Sequence, residues 1–247
     1  MFAHSAVPAL NQLLLPFLSL VSVPELQRNP TVKDEIQHSR TASVSGLMLT
    51  YPVHQAADIL SCKSTLVPVG QDQLPHLEVT RLVARRFNER YGPVFPVPDA
   101  LLSDAPLLLG TDGTKMSKSR GNTIPLSATA DEIARLIRGA KTDSERDISY
   151  DPERRPAVSS LVLLAALCLG RDPGDVAADI GGGGAAALKS VVTAAVNDLL
   201  APIRARRAEY ARDLGYVRQV LRDGNERANQ IAAATLGEVQ GVMGMRY

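Results

Sequence analysis

Residues 66–91 read LVPVGQDQLPHLEVTRLVARRFNERY: a short apolar run, a turn and a long amphipathic stretch. Leu66–Val69 is predicted to be a β-strand, and the apolar residues of 74–91 recur near every 3.6 residues, which predicts a helix. In parallel α/β sheets, ligands bind just outside the carboxyl ends of the strands. The turn Gly70–Gln73 is therefore predicted to lie at a ligand site.

Asp72, at the end of this strand, has two interpretations. A carboxylate there can accept hydrogen bonds from a ribose, and Gly70 lets a ligand approach the backbone closely. The alternative is that Asp72 caps the following helix, which has Pro75 in its first turn and Gly92 after its last periodic residue.

Downstream, residues 113–122 read GTKMSKSRGN. Two lysines three residues apart, interleaved with serines, suit a loop that binds a triphosphate, because ammonium groups meet phosphate oxygens as point charges and hydroxyls add hydrogen bonds. Such donors would stabilise the charge that grows on a leaving pyrophosphate. The sequence is not a Walker A loop. The alternative is a solvated basic loop.

Upstream, residues 51–60 read YPVHQAADIL, and residues 55–62 are predicted to be helical. Asp58 stands among Ala56, Ala57 and Ile59, so a carboxylate is expected on an apolar face. A buried carboxylate requires a partner, and an indole N–H or an amino-acid ammonium would serve. The alternative is a surface Asp58, or one paired with Lys63 or Arg81.

The composition of the 247-residue chain is that of an ordinary globular protein, with 45% hydrophobic and 21% charged residues. The net charge of +1 does not demand a nucleic-acid partner, so any polyanion contact must come from local basic patches. Cys62 and Cys168 are expected to be buried thiols in a reducing compartment. The apolar stretch 13–23 is too short to span a bilayer, which favours a buried helix and a cytoplasmic protein without membrane contact.

The chain divides by pattern into an α/β part, residues 1–125, and an all-helical part, residues 126–247. In the first part, residues 28–45 are expected to form an exposed loop. In the second part, helices are predicted over 130–140, 158–169, 186–213 and 217–243, and Gly181–Gly184 is predicted to link two of them.

Three segments, in this order, resemble tryptophanyl-tRNA synthetases of class I. They are the Tyr-Pro-x-x-x-Ala-Ala-Asp-Ile helix (51–59), the Val-Pro-Val-Gly-x-Asp-Gln turn (67–73) and the Lys-Met-Ser-Lys-Ser loop (115–119). The resemblance spans nearly the whole chain, and tyrosyl enzymes lack the Ala-Ala-Asp-Ile-Leu helix. It implies an α/β fold: an incomplete Rossmann-like class I catalytic domain followed by a helical domain that binds the tRNA anticodon.

The resemblance also implies roles for individual residues. Asp58 would bind the indole nitrogen, Ile59, Val67 and Val69 would wall the indole pocket, and Gln73 would orient the amino group of tryptophan. ATP would be bound by Gly70, Gln71, Asp72 (on the ribose), Leu107 (against the adenine), Lys115, Met116, Ser117, Lys118 and Ser119. Lys115 and Lys118 would be the catalytic residues, and Mg²⁺ would be bound through the ATP phosphates rather than by a protein metal site.

The implied reaction is activation of L-tryptophan by ATP and transfer to tRNA(Trp) by a homodimer, with a series of arginines from Arg204 to Arg222 facing the tRNA or lying on a solvated helix surface. One departure matters. None of the four histidines is followed by x-Gly, so the His-x-Gly-His/Asn segment with which class I enzymes begin is missing. The chain alone is expected to be less stable, to dimerise or to need an N-terminal fragment. The alternative function is a non-catalytic tryptophan- or tRNA-binding paralogue, acting as a sensor or as a partner of a full-length synthetase.

Overall fold

The structure is a computed structural model that describes the chain except for residues 39–43, 104, 106, 117–119 and 247 and the side chains of Glu35 and His38. The chain forms two compact units. Unit 1 comprises Met1–Pro106 and Gly215–Tyr247, and unit 2 comprises Leu107–Leu214.

Unit 1 contains a small parallel sheet, in which Leu66 and Leu101 are about half exposed, and a group of helices. The strands are β1 (Leu66–Pro68) and β2 (Asp99–Leu101), paired in the register Leu66↔Asp99, Val67↔Ala100 and Pro68↔Leu101. The helices are α1 (Pro8–Leu18), α2 (Val23–Arg28), α3 (Pro30–His38), α4 (Gly46–Ser61), α5 (Leu74–Tyr91) and α10 (Leu214–Val242), the last of which begins at the unit boundary.

Aromatic rings fill the centre of unit 1. Phe17, Phe87 and Phe95 pack edge to face with ring centroids 5.0–6.3 Å apart, a geometry that aligns ring edges with ring faces. Leu13, Val53, Leu60 and Val239 complete this core from α1, α4 and α10. The predicted helix over 74–91 and the predicted buried helix in the apolar N-terminal stretch are confirmed.

Unit 2 is helical in the part of it that the structure describes, apart from one isolated bridge between Leu109 and Lys115. Its helices are α6 (Ala130–Arg138), α7 (Pro156–Leu169), α8 (Pro173–Ile180) and α9 (Gly184–Arg212). The core is aliphatic and is built around Ile133, Ile137, Val162, Leu188 and Val192. Residues 173–212 are apolar enough over one window (mean hydropathy 1.3) to be a candidate membrane span, which is weak evidence because α9 buries Leu188, Val192 and Val196 in this core.

Helix starts follow from local chemistry. Proline occupies the first turn of α1, α2, α5, α7 and α8, where its missing N–H costs no hydrogen bond. Reciprocal capping boxes begin α2, with Ser22 and Glu25, and α6, with Thr129 and Glu132.

Two sequence expectations were wrong, and one helix was missed. Residues 28–45 were expected to be a loop, but α3 lies there, because Asn29 Oδ1 accepts from the N–H groups of Thr31 and Val32 and starts a helix. Helix α8 was missed, although Asp172 caps it in the ordinary way. Cys62 is exposed rather than buried.

The predicted boundary at residue 125 does not coincide with the division into units. The chain passes into unit 2 at residue 107, and α10 returns to unit 1. The physical reason is that α10 bonds to the N-terminal part of the chain: Thr235 Oγ1 donates to the carbonyl of Ser61 at 2.7 Å, and Lys63 Nζ pairs with Glu238 at 2.6 Å. Sequence periodicity detects a helix but not the partner against which it packs.

Candidate functional site

Asp58 projects from the exposed side of α4. The opposite face of that helix buries Val53, Ala57 and Leu60, so the apolar surroundings inferred from the sequence lie mainly on the other side. The side chain of Asp58 is 43% exposed, and Oδ1 lies 2.9 Å from Nε2 of His4. The expectation of a buried carboxylate was therefore wrong.

The two alternative partners of Asp58 were also wrong. Lys63 pairs with Glu238, and Arg81 donates to the carboxylates of Glu78 and Asp99 at 2.6 and 2.9 Å. The actual partner, His4, belongs to a short 3-10 turn, His4–Ala6, and no periodic pattern in the sequence signalled it.

The predicted pocket walls lie on α4 and on the strand next to it along the chain. Ile59 is buried, while Val67 and Val69 are half-buried. Val67 pairs with Ala100 in the sheet, and the N–H of Val69 donates to the carbonyl of Leu101 at 3.1 Å. The backbone pairing of β1 thus continues to the residue before Gly70.

The turn after β1 contains a single 3-10 turn, Gln71–Gln73, which runs directly into α5. Asp72 does not cap α5: the residue at the cap position is Gln73, and Asp72 Oδ2 instead accepts from Gln73 Nε2 at 2.9 Å. Gln55 Nε2 donates to Gln73 Oε1 at 3.4 Å, which ties α4 to this turn. Asp72 remains exposed at the carboxyl end of β1, where a ligand hydroxyl can reach it.

In unit 2 the structure describes the first part of the lysine-serine loop. Leu107 is 49% exposed, Lys115 is exposed and Met116 is 40% exposed. The predicted residues Ser117, Lys118 and Ser119 lie outside the described residues.

A network of hydrogen bonds around Asp112, Thr114 and Asn122 joins the two ends of this loop, which we call its base. Asp112 Oδ1 accepts from the N–H and hydroxyl of Thr114, both at 2.9 Å, and from Asn122 Nδ2 at 2.8 Å. Asn122 Nδ2 also lies 3.0 Å from the carbonyl oxygen of Lys115, and the carbonyl of Asn122 accepts from the N–H of Thr111 at 2.9 Å. The side-chain amide of Asn122, with help from Thr114, lowers the pKa of the Asp112 carboxyl below its usual range.

Asn122 is 3% exposed and packs directly over Gly110. A Cβ atom at residue 110 would lie 2.3 Å from Asn122 Nδ2, so the approach requires glycine. Asp112, Asn122 and Gly110 were not identified as site residues from the sequence. The available signal was an Asp two residues before a Thr, which is a turn-forming pattern, together with the Gly-Asn pair that ends the motif.

An apolar cavity of about 200 Å³ lies in unit 2, with Leu109, Gly110, Met116, Asn122 and Cys168 among its walls. Burial raises the pKa of the Cys168 thiol, which is therefore a neutral side chain at this wall. Both ends of the lysine-serine loop thus contribute to one apolar surface.

The arginine series is divided between the two units. Arg206, Arg207 and Arg212 are exposed near the end of α9, whereas Arg218 and Arg222 lie on α10. Arg204 is half-buried and donates to the carbonyl of Asn197 at 3.3 Å. Within the described ranges, no three His, Cys, Asp or Glu side chains are grouped as metal ligands.

Comparison with known proteins explains this arrangement. A family model described as tRNA synthetases class I (W and Y) matches residues 1–201. The tryptophan–tRNA ligase of Treponema pallidum is 40% identical over 250 residues, which cover 99% of this chain and 74% of that protein. The chain belongs to the tryptophan–tRNA ligase family.

Solved structures of synthetases agree with this membership. Tryptophanyl-tRNA synthetase from Campylobacter jejuni, complexed with ADP and tryptophan, is 28% identical with a TM-score of 0.75, covering 98% of this chain and 76% of that one. The Mycoplasma pneumoniae enzyme, 24% identical, shows the same fold with a TM-score of 0.84 over 99% of this chain and 76% of that one. The predicted fold, an incomplete Rossmann-like class I domain with a helical part, is confirmed.

Membership fixes the general chemistry. Tryptophan–tRNA ligases are aminoacyl-tRNA ligases, and the family uses ATP. The roles of individual residues stay predictions.

Proposed function

We propose that this chain activates L-tryptophan with ATP and transfers it to tRNA(Trp). The observation that carries the proposal is the juxtaposition in unit 1 of α4, β1 and the turn that follows β1. Gln55 on α4 reaches Gln73 in that turn, so the helix that bears Asp58 lies beside the strand end that bears Asp72. One acidic group is thus available for an indole N–H and another for a ribose.

In the first step, a carboxylate oxygen of tryptophan attacks the α-phosphorus of ATP. The new bond makes tryptophanyl-adenylate, and the bond to the β-phosphate breaks to release pyrophosphate. Asp58 accepts the indole N–H, with Ile59, Val67 and Val69 against the ring, and Gln73 orients the ammonium group. A site built around that acceptor rejects phenylalanine, at about 10⁴-fold, because the acceptor would be left unpaired.

ATP is held from two parts of the sequence. Gly70 and Gln71 offer backbone groups and Asp72 accepts from the ribose, while Leu107 packs against the adenine. Lys115, Met116, Ser117, Lys118 and Ser119 form the triphosphate loop, in which Lys115 and Lys118 stabilise the charge that develops on the pyrophosphate. Mg²⁺ bound to the ATP phosphates would supply further charge neutralisation there.

In the second step, a 3′-terminal hydroxyl of the tRNA attacks the acyl carbon of the adenylate, and AMP leaves. Neither step forms a covalent bond to the protein, so positioning and electrostatic stabilisation account for catalysis. The exposed arginines of α9 supply phosphate contacts for the tRNA. We further propose that the protein acts in the cytoplasm as a homodimer.

Tryptophan-dependent exchange of labelled pyrophosphate into ATP tests the proposal. We expect exchange by the unaltered chain and a loss of at least about 100-fold in Lys115→Ala, because removing one stabiliser of transition-state charge typically costs 10²–10³-fold. Lys189→Ala, which removes a half-buried lysine of α9 whose Nζ donates to the carbonyl of Arg138 at 2.9 Å, is the control and should exchange normally.

The variant Asp58→Ala tests the recognition of tryptophan separately from the reaction with ATP. It should abolish measurable tryptophan binding by calorimetry while ATP binding persists. Tryptophan binding without any exchange in the unaltered chain would favour the non-catalytic paralogue. Retained tryptophan affinity in Asp58→Ala would show that the pocket assignment is wrong.

A further inference from the structure

The contact between His4 and Asp58 is the starting point. It joins residues 54 positions apart, with Nε2 of His4 2.9 Å from Oδ1 of Asp58 and side chains that are 40% and 43% exposed. An ionised carboxylate can only accept, so Nε2 carries the proton in this bond. The bond occupies one carboxylate oxygen, Oδ1, and leaves Oδ2 as an acceptor for a second donor.

Neighbouring side chains hold the imidazole of His4. The ring of His54, on α4, meets the ring of His4 edge to face with centroids 4.6 Å apart. His54 Nε2 in turn lies 3.2 Å from Asn11 Oδ1 on α1. The imidazole of His4 thus packs on a side chain of α4 that is itself hydrogen-bonded to α1.

The backbone on either side of His4 is fixed by α10. Asn225 Oδ1 accepts from the N–H of Ala3 at 2.7 Å, and Asn229 Nδ2 donates to the carbonyl of Ala6 at 2.5 Å and to that of Asn225 at 2.9 Å. Two asparagines one helical turn apart therefore grip both ends of the turn that carries His4.

Close packing of α10 against the same segment adds to this grip. A Cβ atom at Gly224 would clash with the carbonyl oxygen of Met1, so the helix and this segment approach as only glycine allows. The turn that carries the partner of Asp58 is thus held by a helix more than 200 positions away along the chain.

An exposed ion pair contributes little to stability, so a purely structural role for His4 would have little measurable effect. A role of His4 in orienting the Asp58 carboxylate would, in contrast, affect ligand binding. A half-exposed carboxylate that rotates freely must lose that freedom when it accepts an indole N–H, and a donor that already fixes Oδ1 removes part of this cost.

We propose that His4 is a positioning residue for tryptophan recognition: it fixes the Asp58 carboxylate so that Oδ2 accepts the indole N–H, and α10 holds His4 in place through Asn225 and Asn229. The inference rests on the proposed role of Asp58 and adds to it a residue and a helix that govern specificity.

The test compares two ligands on the full chain by calorimetry, L-tryptophan and 1-methyl-L-tryptophan, which lacks the indole N–H. In the unaltered chain we expect tryptophan to bind more tightly than the methyl compound. His4→Ala should reduce that preference about tenfold, the scale of one oriented hydrogen bond to a charged group, with the affinity for ATP unchanged. A purely structural role would not alter the ratio between the two ligands.

Matched variants complete the design. His4→Gln keeps an N–H donor and should restore most of the preference, and Asn229→Ala should lower it partially. Lys63→Ala removes another half-exposed ion pair of unit 1, with Glu238, and should leave the preference unchanged. Thermal unfolding of His4→Ala and Lys63→Ala should shift by similar small amounts.

The outcomes separate the inference from the function on which it rests. If His4→Ala keeps the preference while Asp58→Ala loses measurable tryptophan binding, the positioning role is overturned and the pocket stands. Tighter tryptophan binding in His4→Ala would also overturn it, because His4 would then compete with the indole. If Asp58→Ala keeps the preference, or if the unaltered chain shows none, the role of Asp58 fails and the inference fails with it.

Discussion

At the scale of single residues, the base of the lysine-serine loop is the most strongly determined part of the candidate site. The buried Asn122 amide bonds to both the Asp112 carboxylate and the Lys115 carbonyl, and Gly110 leaves the space that it occupies. The backbone of Lys115 is therefore fixed, although its ammonium group lies at the end of a long exposed side chain.

Asn122→Ala should slow tryptophan-dependent pyrophosphate exchange by about tenfold with little change in tryptophan affinity, because losing about one net hydrogen bond's worth of positioning costs roughly 1–1.5 kcal/mol. Gly110→Ala should act alike, since its methyl group would displace the same amide. Asn197→Ala, which removes an amide that bonds weakly to the Ala130 carbonyl at 3.5 Å, is the control. Equal exchange rates in Asn122→Ala and Asn197→Ala would contradict this role.

The roles that the sequence predicted for single residues stay predictions, but the structure shows where those residues lie and how exposed they are. Val67, Val69 and the Gly70–Gln73 turn lie at the strand end where the pattern predicted them. Asp58 was expected to be buried and is exposed, because helical periodicity cannot tell which side of α4 faces solvent when Ala residues occupy several faces. His4 could not be found at all, since its importance arises from a contact across 54 residues.

At the scale of elements, α2 is fixed to α5 by one carboxylate that does two jobs. Glu25 completes the capping box of α2 with Ser22, and both of its oxygens accept from Arg86 at 2.7 and 3.0 Å. Arg86 also donates to the carbonyl of Leu20 at 2.7 Å. Hydrogen bonds from Arg86, and then from Ser22, lower the pKa of Glu25 from 4.5 to about 2.

The lowered pKa of Glu25 makes the free energy of unfolding depend on pH. A pKa that is depressed in the folded state gives stability that is full above the unfolded value of 4.5 and is lost as the pH falls toward 2. Because both side chains are about a third exposed, solvent screening reduces the contribution to about 1 kcal/mol.

Glu25→Gln should therefore lower the free energy of unfolding by about 1 kcal/mol at pH 6, with the difference from the unaltered chain shrinking toward pH 3. Urea denaturation at both pH values measures this. Glu78→Gln, which removes an exposed partner of Arg81, is the control. A deficit in Glu25→Gln that stays the same at pH 3 would rule out this explanation.

At the scale of the whole molecule, every long predicted helix is present. Of the parallel strand pair, β1 was predicted and β2 was not. The division of the chain into two compact units could not be predicted from the sequence. Local patterns gave a boundary at residue 125, whereas the division depends on Asn225, Asn229 and Thr235, which bond to residues more than 170 positions away. Those are ordinary polar residues of a helix surface when they are viewed one at a time.

The exposed arginines of α9, Arg206, Arg207 and Arg212, all lie in unit 2, and we propose that they contact the tRNA. Reversing two charges, Arg206→Glu with Arg207→Glu, should lower transfer to tRNA(Trp) by more than about tenfold at low salt, because each phosphate contact releases counterions. Pyrophosphate exchange should be unchanged. The double reversal of Arg135 and Arg138 on α6, which alters the charge of the same unit equally, is the control. Equal transfer by both double variants would assign the α9 arginines to a solvated surface.

The return of α10 to unit 1 bears on how the protein is made. On the ribosome, residues 1–106 emerge before unit 2, whereas α10, which holds the His4 turn, emerges after it. Unit 2 is contiguous in sequence, so it can fold while unit 1 still lacks α10. This interval lasts on the order of ten seconds at ordinary elongation rates. During that interval the surface of α1 that α10 later covers is open to chaperones, so the folding of unit 1 is completed only after unit 2 has been synthesised.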